Sequence, residues 1–213
     1  MATEVTGYNP SLELMWRGVA VIPCWVQMTL VFDTETSGLL KDQKARPIQL
    51  GWVVLDRGGV ELDAHEVLLK TVSEVPIAAT NIHRISTEKL MVDGVQPRPA
   101  LELFLCAANE VLGNGGCIVA HNAAFDVEML RRACVDCQLE YTLDAKDVLC
   151  TMKRSTALCK CEPFRYGTYK WPKLIELADR LGIEYDASLL HGALADTRLT
   201  AKAYLAGKAQ NWW

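Results

Sequence analysis

The chain has 213 residues, of which 50% are hydrophobic and 23% are charged, and its formal net charge is −4. This composition is ordinary for a folded globular protein, and the length suffices for one domain with a substantial core. The negative charge argues against a protein that coats nucleic acid non-specifically, but it is compatible with an acidic metal site that has a local basic rim.

We predict one domain at 28–208, preceded by an N-terminal extension of unknown role at 1–27 and followed by a short tail at 209–213. The apolar run at 15–32 is almost long enough to span a membrane. It contains Arg17 and Pro23, however, and it ends in the strand that leads to a pair of acids. We therefore expect no membrane span, and the absence of an export signal predicts an intracellular, non-secreted protein.

The first half of the chain alternates β-favouring runs with turn signals. We predict strands at 28–34, 47–55 and 60–70, with the last two forming a hairpin around the turn at 56–59. Short helices are predicted at 81–91, followed by a helix that begins at Pro97 or Pro99 and ends at Leu112.

The second half is mainly helical. The pattern predicts a short strand, a polar loop and four helices, namely the strand at 117–120, the loop at 160–170 and helices at 123–136, 145–158, 173–181 and 193–207. Three opening strands followed by helices and short strands predict an α/β domain with three layers and a mixed sheet.

Two acids follow the first predicted strand in the sequence TLVFDTETSGL, residues 29–39. Side chains two residues apart in a strand point to the same face, so Asp33 and Glu35 project together. Like charges at this spacing disfavour joint ionisation unless a cation lies between them. The pair therefore suggests a metal site.

Two later segments carry acids in comparable positions. Asp126 falls in the first turns of the helix that follows the strand at 117–120. Asp196 follows His191 by five residues, which on one helix would place the two about 140° apart. We therefore predict that His191 and Gly192 form a loop that folds back over the site, while Asp196 is anchored on the last helix.

The order of these segments resembles the DEDDh family of 3′–5′ exonucleases, which includes bacterial proofreading subunits, RNase T and oligoribonuclease. FDTETSGL at 32–39 resembles the first motif of the family, HNAAFDVEML at 121–130 the second, and HGALADTRLTAKAY at 191–204 the third, in its histidine form. The resemblance covers about residues 28–206.

The resemblance implies an RNase H-like fold with a mixed five-stranded sheet flanked by helices. It also implies that Asp33, Glu35, Asp126 and Asp196 bind two divalent cations, Mg²⁺ or Mn²⁺, which suit hard carboxylate oxygens. Asp33 would bridge the two ions, Glu35 and Asp196 would serve the nucleophile side, and Asp126 would hold the other ion through water. His191 would act as general base on the attacking water.

The implied substrate is the 3′ end of single-stranded DNA or RNA, and the implied product is a nucleoside monophosphate. Candidate substrate-binding residues are Thr36, Gly38, Leu39, His83, Asn122 and Phe125. Turn packing for Leu39, helix capping for Asn122 and core packing for Phe125 are the structural alternatives, and for Phe125 we favour the core.

A basic and aromatic rim is the second sequence feature that suits a single strand, because cations bind phosphates and rings stack on bases. A solvated surface explains the same residues equally well. The rim comprises Lys153, Arg154, Lys160, Arg165, Tyr166, Tyr169, Lys170 and Trp171.

The chain contains eight cysteines: Cys24, Cys106, Cys117, Cys134, Cys137, Cys150, Cys159 and Cys161. Their apolar contexts favour reduced thiols. The pairs Cys134/Cys137 and Cys159/Cys161 could contribute to a zinc site, but their spacing matches no known ligand frame.

Three other functions remain open at this stage. The chain could be an inactive nucleic-acid-binding module, a proofreading subunit of a DNA polymerase, or a protein whose acids hold one structural ion such as calcium. Homodimerisation is also possible, because members of the family often form dimers.

Overall fold

The computed structural model of the protein describes residues 27–71, 73–163 and 165–213. The predicted extension at 1–27 therefore lies outside the described residues except for its last position, and Cys24 lies outside them as well. No helix within these ranges is both long and apolar enough to cross a membrane.

Five strands form a single mixed sheet, as the sequence predicted. They are β1 (Thr29–Thr36), β2 (Pro47–Leu55), β3 (Glu61–Leu68), β4 (Cys117–Ala120) and β5 (Val148–Cys150), in the order β3-β2-β1-β4-β5. The central strand β1 pairs antiparallel with β2 and parallel with β4, and β5 is the edge strand beside β4.

Seven helices lie in the described part of the chain. They are α1 (Ile77–His83), α2 (Thr87–Asp93), α3 (Pro97–Gly113), α4 (Ala123–Asp136), α5 (Thr151–Cys159), α6 (Leu174–Leu181) and α7 (Ala193–Ala209). The predicted α/β architecture with an RNase H-like sheet is therefore confirmed.

Two stretches differ from their predicted structure. The predicted helix at 145–158 is wrong in its first six residues, because 148–150 form strand β5 and the helix begins at Thr151. The short helices predicted at 81–91 occur instead as two helices at 77–83 and 87–93, separated by Arg84 in the left-handed conformation.

The alternation of side chains along β1 divides the core into two layers. Leu30 and Phe32 pack with α3 and α4 on one face, whereas Val31 packs with α7 on the other. Because the acids follow in the same alternation, Asp33 continues the face of Val31 and Thr34 continues the face of Phe32. Side chains at the end of β1 can therefore contact helices of both layers.

The last residues pack against α7 rather than extending from it. The Trp213 ring stacks on Tyr204 with 6.1 Å between ring centroids, and its indole Nε1 donates to the Tyr204 carbonyl at 3.1 Å. A Cβ at Gly207 would lie 2.1 Å from Trp213, so a glycine is needed at that position. The predicted tail at 209–213 is thus part of the packed structure.

Candidate active site

Three acids meet at the end of the central strand. Asp33, Glu35 and Asp196 each offer a carboxylate oxygen, and these three atoms lie within 4.8 Å of one another. Asp33 and Glu35 share the face of β1 that α7 covers, and Asp196 lies in the first turn of α7. The alternation along β1 that places Asp33 and Glu35 on one face therefore also directs both side chains toward Asp196.

The fourth acid, Asp126, approaches from the opposite layer. It lies in the first turn of α4 and is only 2% exposed. Thr34 donates to its Oδ1 twice, from the backbone N–H at 3.2 Å and from the hydroxyl at 2.6 Å. Thr34, the residue between the two acids of β1, thus ties the fourth acid to the same strand end.

A close contact between α7 and the sheet sets the position of Asp196. Gly51 stands opposite Asp33 in β2, and a Cβ on Gly51 would lie 2.5 Å from the Ala193 carbonyl carbon. The absence of a side chain at Gly51 lets the first turn of α7 rest directly on the strand. The Thr197 hydroxyl donates to the Gly51 carbonyl at 3.1 Å and completes this contact.

Side chains from two strands satisfy the first amides of α7. Gln49 Oε1 accepts from the Ala193 N–H at 3.0 Å, and Glu66 Oε1 accepts from the Leu194 N–H at 3.1 Å. These groups replace the missing N-cap side chain of Gly192 and place a carboxylate at the positive end of the helix. The sequence analysis missed both residues, because their partners lie 144 and 128 residues away.

His191 lies in the loop before α7, which confirms the predicted break between the histidine and the helix. Its backbone is left-handed, with φ of 67°, and its side chain is exposed. The His191 N–H lies 3.4 Å from Asp196 Oδ1. The backbone of His191 is therefore linked to the acid cluster, and its imidazole is exposed to solvent.

The acids repel one another strongly in the absence of a cation. Burial, followed by the charges of Asp126, Glu35 and Asp196, raises the pKa of Asp33 well above its ordinary value. Burial and the neighbouring Asp196 and Asp126 raise the pKa of Glu35 to about 8. Burial also raises the pKa of Asp126 to about 7, although the hydrogen bonds from Thr34 oppose this shift. A cation bound among these acids would offset their mutual repulsion and lower their pKa values.

The donor set fits divalent metal ions. Four carboxylates provide hard oxygen ligands, which Mg²⁺ and Mn²⁺ prefer, and among the described residues no Lys or Arg forms an ion pair with any of them. Three of the acids already converge, and the fourth, Asp126, belongs to the same electrostatic cluster. The geometry therefore suits a divalent metal ion, and the carboxylate oxygens that converge belong to Asp33, Glu35 and Asp196.

His83 presents a weakly paired donor beside the cluster. It is buried, and its Nδ1 accepts from the Ile85 N–H at 3.1 Å, so the proton of the neutral ring is on Nε2. Nε2 is buried and lies near the Thr36 backbone, without a hydrogen bond of good geometry among the described residues. Burial lowers the pKa of His83, a hydrogen bond with the Thr36 backbone opposes this shift, and the nearby His191 lowers the pKa further. A neutral ring whose N–H is weakly paired at the end of β1 is suited to donate to an oxygen atom of a ligand.

The loop that follows the two acids is held from α4. The Thr36 hydroxyl donates to the Gly38 carbonyl at 2.8 Å, and Leu39 is 60% exposed. Arg132, which is 9% exposed, donates to the carbonyls of Leu40 at 2.9 Å and Asp42 at 2.7 Å. Leu39 thus stands outside the core on a fixed loop, and the turn-packing alternative does not account for its exposure.

The motif at 121–126 has a different internal arrangement from the predicted one. Asn122 occupies the N-cap position of α4, but its φ is 68° and its side chain makes no capping hydrogen bond, so the predicted capping role is wrong. Phe125 is partly exposed and lies outside the buried clusters of the described residues, so the favoured core role is also wrong. Both side chains remain available to a ligand.

His121 is a structural link rather than a member of the acid cluster. Its Nε2 lies 3.1 Å from the Pro172 carbonyl, which can only accept, so Nε2 carries the proton and Nδ1 accepts from the Thr151 hydroxyl at 3.0 Å. Burial lowers the pKa of His121 to about 4. The neutral ring joins the end of β4 to the start of α5 and to the loop before α6.

The basic rim is only partly free to bind a ligand. Lys170 forms an ion pair with Glu176 at 2.6 Å. Lys153 and Arg154 are exposed and form no ion pair among the described residues, while Tyr166 is fully exposed and Trp171 is 59% exposed. These cations and rings therefore remain accessible to solvent.

Seven of the eight cysteines lie in the described part of the chain. The seven cysteines there are free thiols, and burial is the main cause that raises the pKa of Cys134 to about 11. The group of potential ligands that converges is the acidic one. These observations agree with the prediction of reduced thiols.

A comparison with known protein families identifies the family of this chain. A family model described as an RNase T exonuclease matches residues 30–204, which include all four acids and His191. The chain belongs to this DEDDh exonuclease family. Family membership supports an exonuclease activity in general and agrees with the order of the three motifs.

Relatives in the family differ widely in length. A DNA polymerase III subunit epsilon-like protein of Rhodobacter capsulatus is 32% identical over 198 residues, which are 91% of this chain but 26% of that protein. An uncharacterized exonuclease of Escherichia phage 186 is 27% identical over 83% of this chain and 86% of its own length. The chain thus spans about a quarter of the first relative and most of the second.

The fold is also that of a solved exonuclease. The structure of Escherichia coli exonuclease I in complex with a dA16 oligonucleotide superposes with a TM-score of 0.68 at 17% identity, covering 86% of this chain and 41% of that one. At this identity the likeness establishes the fold. It confirms the RNase H-like arrangement of sheet and helices.

Proposed function

We propose that this DEDDh family member removes nucleoside monophosphates one at a time from the 3′ end of single-stranded nucleic acid. The observation that carries the proposal is the meeting of Asp33, Glu35 and Asp196 within 4.8 Å, with buried Asp126 tied to the same strand end. Without a cation the charged form of this cluster is unfavourable, because burial and the neighbouring acids raise the pKa values of Asp33 and Glu35.

Divalent ions held by the four acids would supply Lewis-acid chemistry for phosphodiester hydrolysis, activating water and stabilising the charge on the leaving 3′ oxygen. The fold holds the carboxylates in the positions from which they would bind these ions. Thr34 holds Asp126 through two hydrogen bonds, and Gly51 lets α7 bring Asp196 close to β1. The protein thus holds the four carboxylates in fixed positions before the substrate binds.

His191 is the proposed general base. An imidazole can accept a proton near neutral pH, and the exposed ring next to Asp196 can turn toward water bound at the cluster. The proton removed from water would pass from His191 to solvent, since the side chain is exposed. His191 would thereby be ready for the next cycle.

The terminal nucleotide would lie against the loop after β1. We propose that His83 donates its Nε2–H to a sugar or phosphate oxygen, and that exposed Leu39 contacts the terminal base. Thr36, Gly38, Asn122 and Phe125 would line the same place. Leaving the buried donor of His83 weakly paired is unfavourable, which supports an oxygen ligand there.

The proposal is tested with single-stranded DNA and RNA oligomers labelled at either end. Each is incubated with the protein plus Mg²⁺, Mn²⁺ or EDTA, beside His191→Ala and the matched control His65→Ala, which removes an imidazole from β3. We expect stepwise shortening from the 3′ end with the wild type and the control, and loss of shortening with EDTA and with His191→Ala. Shortening that persists in EDTA, or that proceeds from the 5′ end, contradicts the proposal.

A second candidate function is proofreading within a DNA polymerase. It rests on the 32% identity to the epsilon-like protein, whose name refers to a polymerase subunit. Purification of the native protein from its own cells distinguishes the two functions. Co-purification of a polymerase in stoichiometric amount favours proofreading, and a protein that purifies without one and remains active favours independent action.

A further inference from the structure

The loop that joins β1 to β2, residues 37–46, carries Leu39 near its tip. Two hydrogen bonds close the base of this loop, because the Ser37 N–H donates to the Arg46 carbonyl at 2.9 Å and the Arg46 N–H donates to the Ser37 hydroxyl at 3.0 Å. Beyond this pair, residues 39–44 are all exposed. Burial of side chains therefore does not hold the tip of the loop against the rest of the domain.

A buried arginine of α4 holds this tip instead. Arg132 Nη1 donates to the Asp42 carbonyl at 2.7 Å, and Nη2 donates to the Leu40 carbonyl at 2.9 Å, across 90 and 92 positions of sequence. The Leu39 carbonyl accepts from the Asp42 N–H at 2.9 Å, so Leu39 begins the turn to which Arg132 is bonded. Because the donor is charged, these bonds are stronger than hydrogen bonds between neutral groups.

The guanidinium of Arg132 is itself held in a fixed orientation. Its Nε donates to Glu128 Oε1 at 2.9 Å, so each of its three nitrogen atoms has a partner. Glu128 is fixed in turn by Arg131, whose Nε donates to Oε2 at 2.7 Å. A buried planar group with three partners has little freedom to turn, so the loop tip is attached firmly to α4.

The same helix also carries the fourth acid of the site. Asp126 precedes Arg132 by six residues in α4, which corresponds to about 9 Å along the helix axis. Thr34 ties Asp126 to the end of β1, and Arg132 ties a later turn of α4 to the loop that follows β1. One helix thus sets both the position of an acid of the cluster and the position of Leu39 relative to it.

We propose that Arg132 is a positioning residue for the terminal nucleotide, which holds Leu39 where its side chain contacts the terminal base. The inference rests on the proposed function, in which Leu39 makes that contact. Within the described residues Arg132 bonds to Glu128, Leu40 and Asp42 and to none of the four acids. Arg132 therefore determines the preference for a 3′ terminus that carries a base, and it does not determine the binding of metal.

The test compares two single-stranded oligomers that differ only at the 3′ terminus. One ends in a normal nucleotide and the other in its abasic tetrahydrofuran analogue, so the ratio of their kcat/KM values in Mg²⁺ measures the contribution of the terminal base. The test variant is Arg132→Met. The matched control is Arg131→Met, because Arg131 bonds to the same Glu128 but has a side chain that is 51% exposed and no bond to the loop within the described residues.

We expect Arg132→Met to lower this ratio about fivefold, the lower end of the range for a contact with one base. The control should keep the wild-type ratio. Leu39→Ala should lower the ratio by a similar factor, and the double variant Leu39→Ala/Arg132→Met should lower it no further, because both substitutions remove the same contact. A wild-type ratio in Arg132→Met, or an equal decrease in Arg131→Met, overturns the inference.

Metal binding is measured on the same variants. Mg²⁺ should raise the melting temperature of Arg132→Met as much as that of wild type. A smaller increase would mean that the substitution disturbs the acid cluster, and it would overturn the inference. If Arg132→Met does not fold, Arg132→Lys takes its place, since lysine keeps the charge beside Glu128 but lacks the planar fork that reaches both carbonyls. Its ratio should lie between those of wild type and Leu39→Ala, and a wild-type ratio again overturns the inference.

The wild-type protein separates this inference from the proposed function. If it shortens neither oligomer, as DNA or as RNA, the proposed function fails and the inference fails with it. If it shortens oligomers but the ratio does not depend on Arg132, the inference alone fails and the proposed function stands.

Discussion

Thr34 donates two hydrogen bonds to one carboxylate oxygen of Asp126, from its backbone N–H at 3.2 Å and its hydroxyl at 2.6 Å. The two residues are 92 positions apart and belong to different layers of the domain. Both hydrogen bonds stabilise the carboxylate and so oppose the rise in the pKa of Asp126 that burial causes. The residue between the two acids of β1 therefore contributes to the site although it is not itself a ligand.

Replacement of Thr34 by valine tests this relationship. Thr34→Val removes the hydroxyl, raises the pKa of Asp126 further above about 7, and should lower kcat/KM at pH 7 by roughly 10- to 100-fold, the range for a hydrogen bond to a charged group. The loss should shrink at pH 9, where the carboxylate is ionised in both proteins. Thr34→Ser, which keeps the hydroxyl, should remain near wild-type activity, and a valine variant as active as the serine variant would contradict the argument.

The acid cluster should make the stability of the metal-free protein dependent on pH. An acid whose pKa rises on folding favours the folded state below its unfolded pKa and loses that contribution as pH rises through the folded value. For Glu35 this loss of stability takes place between about pH 4.5, its ordinary pKa, and about pH 8, its pKa in the folded protein. The pKa of Asp33 shifts in the same direction. In EDTA, the melting temperature should fall between pH 6.5 and 8.5, and Mg²⁺ should restore most of the loss.

Asp33→Asn should reverse that behaviour. The substitution removes one of the mutually repelling charges, so the EDTA-treated variant should melt at a higher temperature than wild type at pH 8.5 and gain little from Mg²⁺. It should also lose nuclease activity. Asp93→Asn, an exposed change outside the cluster, should leave the response to Mg²⁺ intact. An undiminished Mg²⁺ response in Asp33→Asn would count against the metal assignment.

Gly51→Ala should separate α7 from the sheet. The added Cβ would lie 2.5 Å from the Ala193 carbonyl carbon and 2.6 Å from the Leu194 nitrogen, both backbone atoms. We expect a loss of stability of about 1–3 kcal/mol, as for overpacking, together with a loss of activity because Asp196 moves with the helix. Urea unfolding and oligomer hydrolysis measure the two effects.

Gly113→Ala is the matched control for this prediction. A Cβ there would meet no atom within 4 Å, and the residue ends α3. The variant should be as active as wild type and at least as stable, since alanine is favoured over glycine in a helix by up to about 1 kcal/mol. Equal effects of the two substitutions would show that the contact at Gly51 does not position Asp196.

His121→Asn should make the protein less sensitive to acid. The folded pKa of His121 is about 4 and the ordinary value is 6.5, so its contribution to stability is complete above pH 6.5 and declines as pH falls toward 4. Because of His121, the free energy of unfolding should fall by about 2 kcal/mol between pH 7 and pH 5. Asparagine can still bond the Thr151 hydroxyl and the Pro172 carbonyl, so urea unfolding of the variant should show a smaller decline. An equal decline in the stability of the variant and the wild type would mean that another group causes the acid sensitivity.

The parts of the site that follow from local patterns were predictable from the sequence. The alternation along β1 placed Asp33 and Glu35 on one face, and Gly192 indicated the break that leaves His191 outside α7. The alternation also separates the two core layers, as the burial of Leu30 and Val31 on opposite faces confirms. These features depend on residues close in sequence, where spacing alone carries the information.

The parts that depend on distant contacts were not predictable. Strand β5 has only three residues and follows a polar segment, and its partner β4 lies about 30 positions earlier, so the pattern favoured a helix. Asn122 has the residue type of a cap, but its left-handed backbone directs the side chain elsewhere. Nothing near Gln49 or Glu66 in the sequence indicates that they bind the amides of α7.

The direction of the central strand has a practical consequence for studying single molecules. β1 runs from Thr29, opposite Leu55, to Glu35, opposite Gln49, so the turn at 56–59 lies about 20 Å from the acids, at about 3.3 Å per residue. Arg57 in this turn is exposed. A fluorophore or surface tether attached there would leave the acid end of the sheet facing solution, where a nucleic-acid strand could be followed while it is shortened.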